Sequence, residues 1–160
     1  MFDLNGFISK TVIKRPASMF LPDIHENKEA LSAKIKDKTI LVIGGAGSIG
    51  SSFIKAVLPF RPKTMVVVDY NENALAELTR DLRSAKDTYI PEDYIPYPMD
   101  FASSVFQKMF RKRGGFDIVA NFSAHKHVRS EKDIYSVEAL LQNNVLHAGL
   151  LLDLMTEFPP

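Results

Sequence analysis

Hydrophobic and polar positions fall into alternating blocks from Lys38 onward. Thr39-Ile40-Leu41-Val42-Ile43 and, near 64–68, Met65-Val66-Val67-Val68 are short, unbroken apolar runs. Runs of this length, rich in β-branched residues, read as strands buried on both faces. Between them, Ser51 to Leu58 belongs to a helix near 48–58, stopped by Pro59 and Pro62. Leu75, Leu78 and Leu82 recur at helical spacing over 72–85, with Asn71 as the N-cap. A proline-spaced loop (Pro91, Pro96, Pro98) holds a short strand near 94–99 that ends at Asp100. A third helix near 102–112 has Val105, Phe106, Met109 and Phe110 as its apolar face; Gly114-Gly115 ends it, and a fourth strand follows near 116–122. The last element, near 134–157, reads as one long helix whose stripe Val137, Leu141, Val145, Ala148, Leu152 and Met155 is expected in the core.

Strand and helix in alternation predict an α/β fold. Right-handed crossovers then give a Rossmann-like, doubly wound parallel sheet in the order 3-2-1-4, incomplete at about four βα units. Residues 37–160 form this domain and residues 1–36 a preamble. In the preamble, Arg15-Pro16 and Leu21-Pro22-Asp23 are expected to interrupt regular structure, and 27–36 to form a short amphipathic helix.

The first strand runs into Gly44-Gly45-Ala46-Gly47-Ser48-Ile49-Gly50, a helix follows, and the second strand ends on Asp69. Strand, glycine turn, helix, strand and acid are the parts of a dinucleotide site. Gly44 allows a tight turn, Gly47 lets the backbone approach a pyrophosphate, and Gly50 lets the helix pack on the sheet. The helix start offers free N–H groups and the positive end of its dipole. Asp69 is placed to accept hydrogen bonds from the adenosine ribose. A triphosphate P-loop is excluded, because Ser51 stands where the lysine after Gly50 should be. The carboxylate at Asp69, followed by Tyr70 rather than arginine, favours NAD; NADP is the alternative.

Composition narrows the partners. A net charge of +1 gives no electrostatic ground for a nucleic-acid partner. The chain has no cysteine, and His125 and His127, two apart with no carboxylate partner, do not make a metal site. The chain opens on no basic-then-apolar leader, and no apolar run approaches the ~18 residues that span a bilayer. A cytoplasmic protein without membrane contact is therefore expected.

The glycine spacing G-x-x-G-x-x-G resembles that of the short-chain dehydrogenase/reductase superfamily. The turn, the run Val68-Asp69-Tyr70-Asn71-Glu72-Asn73-Ala74-Leu75, the block Lys126-His127-Val128 and the pair Asn144-Val145 together resemble its polysaccharide-biosynthesis branch. That branch contains UDP-N-acetylglucosamine 4,6-dehydratases and related 4-epimerases. The chain departs from it at Arg129, where the branch has proline, at His147, where it has glycine, and at Asn121-Phe122-Ser123, where it has His-Ala-Ala.

The resemblance implies roles. Gly44, Gly47, Ser48, Ile49 and Gly50 would hold the pyrophosphate and Asp69 the adenosine ribose. Asp100 and Phe101 would meet the adenine, and Phe122, Ser123 and Ala124 the nicotinamide-side ribose. Lys126 and His127 would stand at the substrate pocket, and Asn144 would support the backbone of the site. A UDP-sugar substrate and a homo-oligomer built on the long helix are implied too. The implied chemistry is oxidation at C4 of the hexose, loss of water across C5 and C6, and return of the hydride to C6. No tyrosine or methionine here has lysine four residues on, so the superfamily's catalytic base is absent. The chain is expected to be the N-terminal part of a longer enzyme whose catalytic residues lie downstream. The alternatives are a UDP-hexose 4-epimerase and a non-catalytic NAD(P)-binding module.

Overall fold

The computed structural model describes residues 3–15, 18–85, 88–126 and 133–160. The chain divides into two compact units, Met1–Lys34 and Ile35–Pro160. The first holds helix α1 (Leu4–Phe7), a five-residue π turn (Ile8–Val12), α2 (Leu21–Glu26) and most of α3 (Lys28–Ile35). None of its described residues is buried. Pro22 does not interrupt structure as expected: it lies in the first turn of α2, where its missing N–H would have no partner in any case.

The second unit contains β1 (Thr39–Ile43), α4 (Ser48–Val57), β2 (Thr64–Asp69), α5 (Glu72–Ser84), β3 (Asp93–Pro98), α6 (Ser104–Arg113) and β4 (Ile118–Asn121). Then come α7 (Ile134–Leu141), a π turn (Gln142–Leu146) and α8 (His147–Glu157). The four strands are parallel in the order β3-β2-β1-β4, as the alternation predicts. Ile40, Val42, Met65 and Val67 face one core, packed with Ile54 of α4 and Leu75, Leu78 and Leu82 of α5. Their neighbours Leu41, Ile43, Val66 and Val68 face the other, packed with Phe106, Phe110, Leu151 and Leu154. The period of two along each strand thus feeds both faces, and this is why β1 and β2 are apolar without interruption.

Caps fix the helix positions. Asn71 accepts from the N–H of Ala74 at 3.0 Å and Ser103 from that of Phe106 at 3.2 Å. Gly114, left-handed at φ 73°, ends α6. In the basic last turn of α6, Arg111 pairs with Glu157 of α8 at 3.0 Å.

Two further expectations fail. Val105 is 57% exposed, so the apolar face of α6 is Phe106 and Phe110 with Met109 at its edge. The last element is not one helix, because the π turn interrupts it. Most of its expected stripe is one residue out of phase: Val137, Leu141, Val145 and Leu152 are exposed, Met155 packs at the edge of the core, and Leu151 and Leu154 enter it. The inward line carries Ser136, Asn143, Asn144 and His147 before it becomes apolar. Hydrophobicity alone therefore selects the neighbouring, more apolar line.

At the N-terminal ends of the strands, Asp117 ties β4 to β1. Its Oδ2 accepts from the backbone N–H of Thr39 at 2.8 Å and from the Thr39 hydroxyl at 2.7 Å, and Lys38 lies 3.2 Å from Oδ1. The backbone hydrogen bond first, then the hydroxyl and Lys38, hold this carboxyl down at about 2 against an ordinary 3.8. A depressed carboxyl adds stability above its unfolded value and loses it as pH falls through its folded one. Asp117→Asn should therefore lower the urea midpoint at neutral pH, with the gap to wild type closing as pH drops from 3.8 toward about 2. A gap that stays constant over that range would remove the carboxylate's charge from the account.

Candidate functional site

The turn after β1 is built by contacts that only glycine permits. Gly44 has φ 69°, and a Cβ there would lie 2.6 Å from the Ser123 nitrogen and 2.8 Å from the Phe122 carbonyl carbon. A Cβ on Gly50 would strike the Gly44 oxygen and approach the Gly45 Cα to 2.7 Å. Gly45 lies against Val67, whose Cγ1 a side chain at Gly45 would displace. Sequence reasoning gave Gly45 no role, because its constraint comes from β2 and not from the turn. Gly47 differs: a Cβ there would meet only the Gly44 oxygen, at 3.4 Å. Gly47 is the exposed N-cap of α4.

Asp69 braces this turn. Its Oδ2 accepts from the N–H of Ala46 and its Oδ1 from that of Asn71, each at 3.0 Å. One carboxylate thus links the glycine turn to the start of α5. The role expected for Asp69 was toward a ligand only; the brace could not be read without knowing where Ala46 lies. Beside β4, Phe122 packs on Phe53 of α4 with ring centroids 5.1 Å apart.

Above the C-terminal ends of the strands opens a cleft of about 740 Å³, within the ordinary range of small-molecule sites. It lies where the chain reverses its winding between β1 and β4, the position at which open α/β sheets hold ligands. Of the residues singled out in the sequence, Gly44, Gly47, Asp69, Asp100, Phe101, Phe122, Ser123 and Ala124 line it. Ser48, Ile49, Gly50, Lys126 and Asn144 do not. Gly50 is buried beneath the turn, and Ile49 is 63% exposed. His127 lies outside the described residues. Asp100 accepts from the N–H of Ala102 at 2.9 Å, and Phe101 is 5% exposed against the second core.

Asn144 stands behind the cleft. Its Oδ1 accepts from the N–H of His125 at 2.9 Å, and its Nδ2 donates to the His125 carbonyl at 3.1 Å. One side-chain amide therefore satisfies both polar groups of a single loop residue. Another part of the wall is made by Gln142, Asn143 and His147 from the π turn and the start of α8. Sequence reasoning missed this wall; the polar break in the inward helical line at 143–147 is the signal that marks it.

Topology and turn together define a Rossmann-like α/β domain. Residues 40–158 match the polysaccharide biosynthesis protein family, and the chain belongs to it. The chain is 59% identical over 51 residues to an uncharacterized membrane protein of Methanocaldococcus jannaschii, covering 32% of this chain and 15% of that protein. It is 28% identical over 116 residues to the probable polysaccharide biosynthesis protein EpsC of Bacillus subtilis, covering 72% of this chain and 19% of EpsC. It therefore spans less than a fifth of the length of either relative.

Among solved structures, it resembles the Bordetella bronchiseptica enzyme WbmF in complex with NAD+ and UDP, with a TM-score of 0.57 and 21% identity. That match covers 79% of this chain and 34% of WbmF. It also resembles a UDP-N-acetylglucosamine 4-epimerase from Methanobrevibacter ruminantium, with a TM-score of 0.58 and 20% identity over 78% of this chain and 36% of that one. At these identities the two structures establish the fold. Among the described residues no helix is long and apolar enough to cross a membrane.

Two substitutions probe the construction of the site. Gly50→Ala should destabilise the domain by about 1–3 kcal/mol by overpacking, while Gly47→Ala should leave the unfolding midpoint nearly unchanged; equal losses would contradict the packing described. Asn144→Ala should accelerate hydrogen exchange at the His125 amide, with little change at the strand amides of β1 and β2. Unaltered exchange at His125 would mean that another group holds the loop.

Proposed function

We propose that this chain is the N-terminal, cofactor-binding part of an NAD-dependent nucleotide-sugar enzyme. The activity we assign is a 4,6-dehydratase (a lyase) acting on UDP-N-acetylglucosamine or a similar UDP-hexose, in bacterial surface polysaccharide biosynthesis. Residues 37–160 are the nucleotide-binding part and 1–36 a preamble. The observation that carries the reading is the glycine turn braced by Asp69 at the mouth of the cleft, in a chain of the polysaccharide biosynthesis protein family.

The residues present fit a dinucleotide. Gly47 leaves the N-terminus of α4 open, so backbone N–H groups and the helix dipole are available to a pyrophosphate. Asp69 keeps lone pairs free for ribose hydroxyls, since each oxygen accepts one hydrogen bond. Asp100 and Phe101 border the adenine side, and Phe122 to Ala124 the nicotinamide side. Two carboxylates, Asp69 and Asp100, and no lysine or arginine line the cleft among the described residues. A 2′-phosphate would meet repulsion without compensation, which supports NAD over NADP. When bound, NAD supplies a reversible hydride acceptor.

The chain's own residues bind and orient. Asn144 holds the His125 backbone, and through it the loop leading to Lys126 and His127, which we assign to the substrate pocket. The catalytic base is assigned to residues beyond this chain. The exposed apolar residues Ile134, Val137, Leu141 and Leu146 support a further protein surface covering α7, either a second copy in a homo-oligomer or a following part of the same polypeptide. A cytoplasmic location is part of the same proposal.

A second reading is a UDP-hexose 4-epimerase, favoured by the likeness to the Methanobrevibacter structure; a non-catalytic NAD-binding module is a third. Proton NMR of UDP-N-acetylglucosamine incubated with the full-length protein and NAD+ separates them. A new C6 methyl signal is expected. A C4-inverted sugar without a methyl signal would replace the dehydratase with the epimerase. An unchanged spectrum from protein that binds NAD+ would leave the binding module. In parallel, Asp69→Asn should weaken NAD+ binding about tenfold and narrow the preference for NAD+ over NADP+; an unchanged preference would count against Asp69 as the discriminating group.

A further inference from the structure

The start of α8 carries a polar group with no structural use. His147 lies on the inward side of the helix, one turn before Leu151 enters the core. Its ring meets Phe101 edge to face, with centroids 5.8 Å apart and planes at 83°. Its Nδ1 is shut away from solvent and has no hydrogen-bond partner among the described residues. A buried, unpartnered ring nitrogen is costly, and native proteins keep few of them. His147 also lines the cleft, together with Phe101, Asp100 and Asp69.

Packing alone does not require histidine here. An apolar side chain would make the same edge contact with Phe101 without stranding a nitrogen. What the imidazole adds is a hydrogen-bonding edge, and the terminal torsion of histidine is soft and roughly two-fold. A half-turn places a ring carbon in the apolar position that Nδ1 now occupies and moves Nδ1 to the opposite edge.

We propose that His147 recognises the adenine base of the dinucleotide, an inference that rests on the NAD-binding reading above. The Phe101 contact places His147 at the β3 end of the cleft, beyond the Asp69 carboxylate. That is the end where the base attached to an Asp69-bound ribose falls. An adenine edge offers both an amino donor and ring-nitrogen acceptors, and a neutral imidazole offers one donor and one acceptor. The nicotinamide half is assigned to Phe122 and Ser123, which follow β4. His147 is thus a specificity residue for one half of the cofactor.

The test is calorimetric titration of the full-length protein with NAD+, AMP and nicotinamide mononucleotide, for wild type, His147→Leu, His147→Gln and His147→Gly. The leucine variant keeps the contact with Phe101, and the glycine variant removes the ring entirely. One of them therefore remains informative if the other does not fold. Leucine and glycine should weaken AMP and NAD+ about tenfold and leave the mononucleotide within twofold, while glutamine, which keeps a donor and an acceptor, should recover most of the AMP affinity. AMP affinity within twofold of wild type in the leucine and glycine variants would reduce His147 to a packing residue. Equal weakening of AMP and the mononucleotide would also overturn the assignment, because the effect would then not belong to the base. Wild-type protein that binds neither NAD+ nor AMP would overturn the cofactor reading itself, a result distinct from binding that is insensitive to His147.

Discussion

The approach of Gly50 to the backbone of Gly44 and Gly45 sets the geometry at the top of the sheet. With no side chain between them, the first turn of α4 sits directly on the end of β1. This fixes the direction in which the helix start points, and it draws the turn under Phe122 and Ser123 after β4. Asp69 then closes the arrangement from the other side by holding Ala46. Three segments far apart in sequence meet within one turn of backbone, and the cleft is the space they leave. A methyl group at Gly50 would disturb all of them, whereas one at Gly47, a few residues away, would make only an ordinary contact with the Gly44 oxygen.

The electrostatics of this cleft are those of backbone amides and two carboxylates, without a lysine or arginine among the described lining residues. Attraction for an anionic ligand must then come from fixed N–H dipoles and not from a mobile lysine. Such dipoles lose little entropy on binding and act only over the first turn, so they reward a phosphate placed at the helix start and little else. The carboxylate of Asp69 is fixed as well, because its brace to the turn and to the start of α5 holds both oxygens in place.

Much of this was legible in the residues. The apolar runs of β1 and β2, Asn71 as a cap, Gly114 as a helix end and the strand order all follow from short-range patterns whose physics is local. What escaped was set by tertiary contact. Val105 looks like part of the apolar face of α6, but only the sheet decides which line of a helix is covered. Gly45 is required by Val67, twenty-two residues on. Pro22 looked like a breaker because its position within a helix, first turn or interior, cannot be known before the helix start is. The last helix misled most, since its most hydrophobic line and its buried line are adjacent and different.

The π turn at Gln142–Leu146 separates two demands on that last helix. Within it, Asn143 and Asn144 serve the cleft and the His125 loop; after it, Leu151 and Leu154 serve the core. Removing one residue from the turn would restore ordinary α-helical pitch and rotate everything downstream by about 100°, carrying both leucines out of the sheet's cover. The length of this segment is therefore locked by the core, while the identities of its cleft-facing residues are not. Within such a frame, ligand preference can drift by single exchanges at positions 142, 143 and 147 without any change to the scaffold. An insertion or deletion there would instead shift the core leucines out of register.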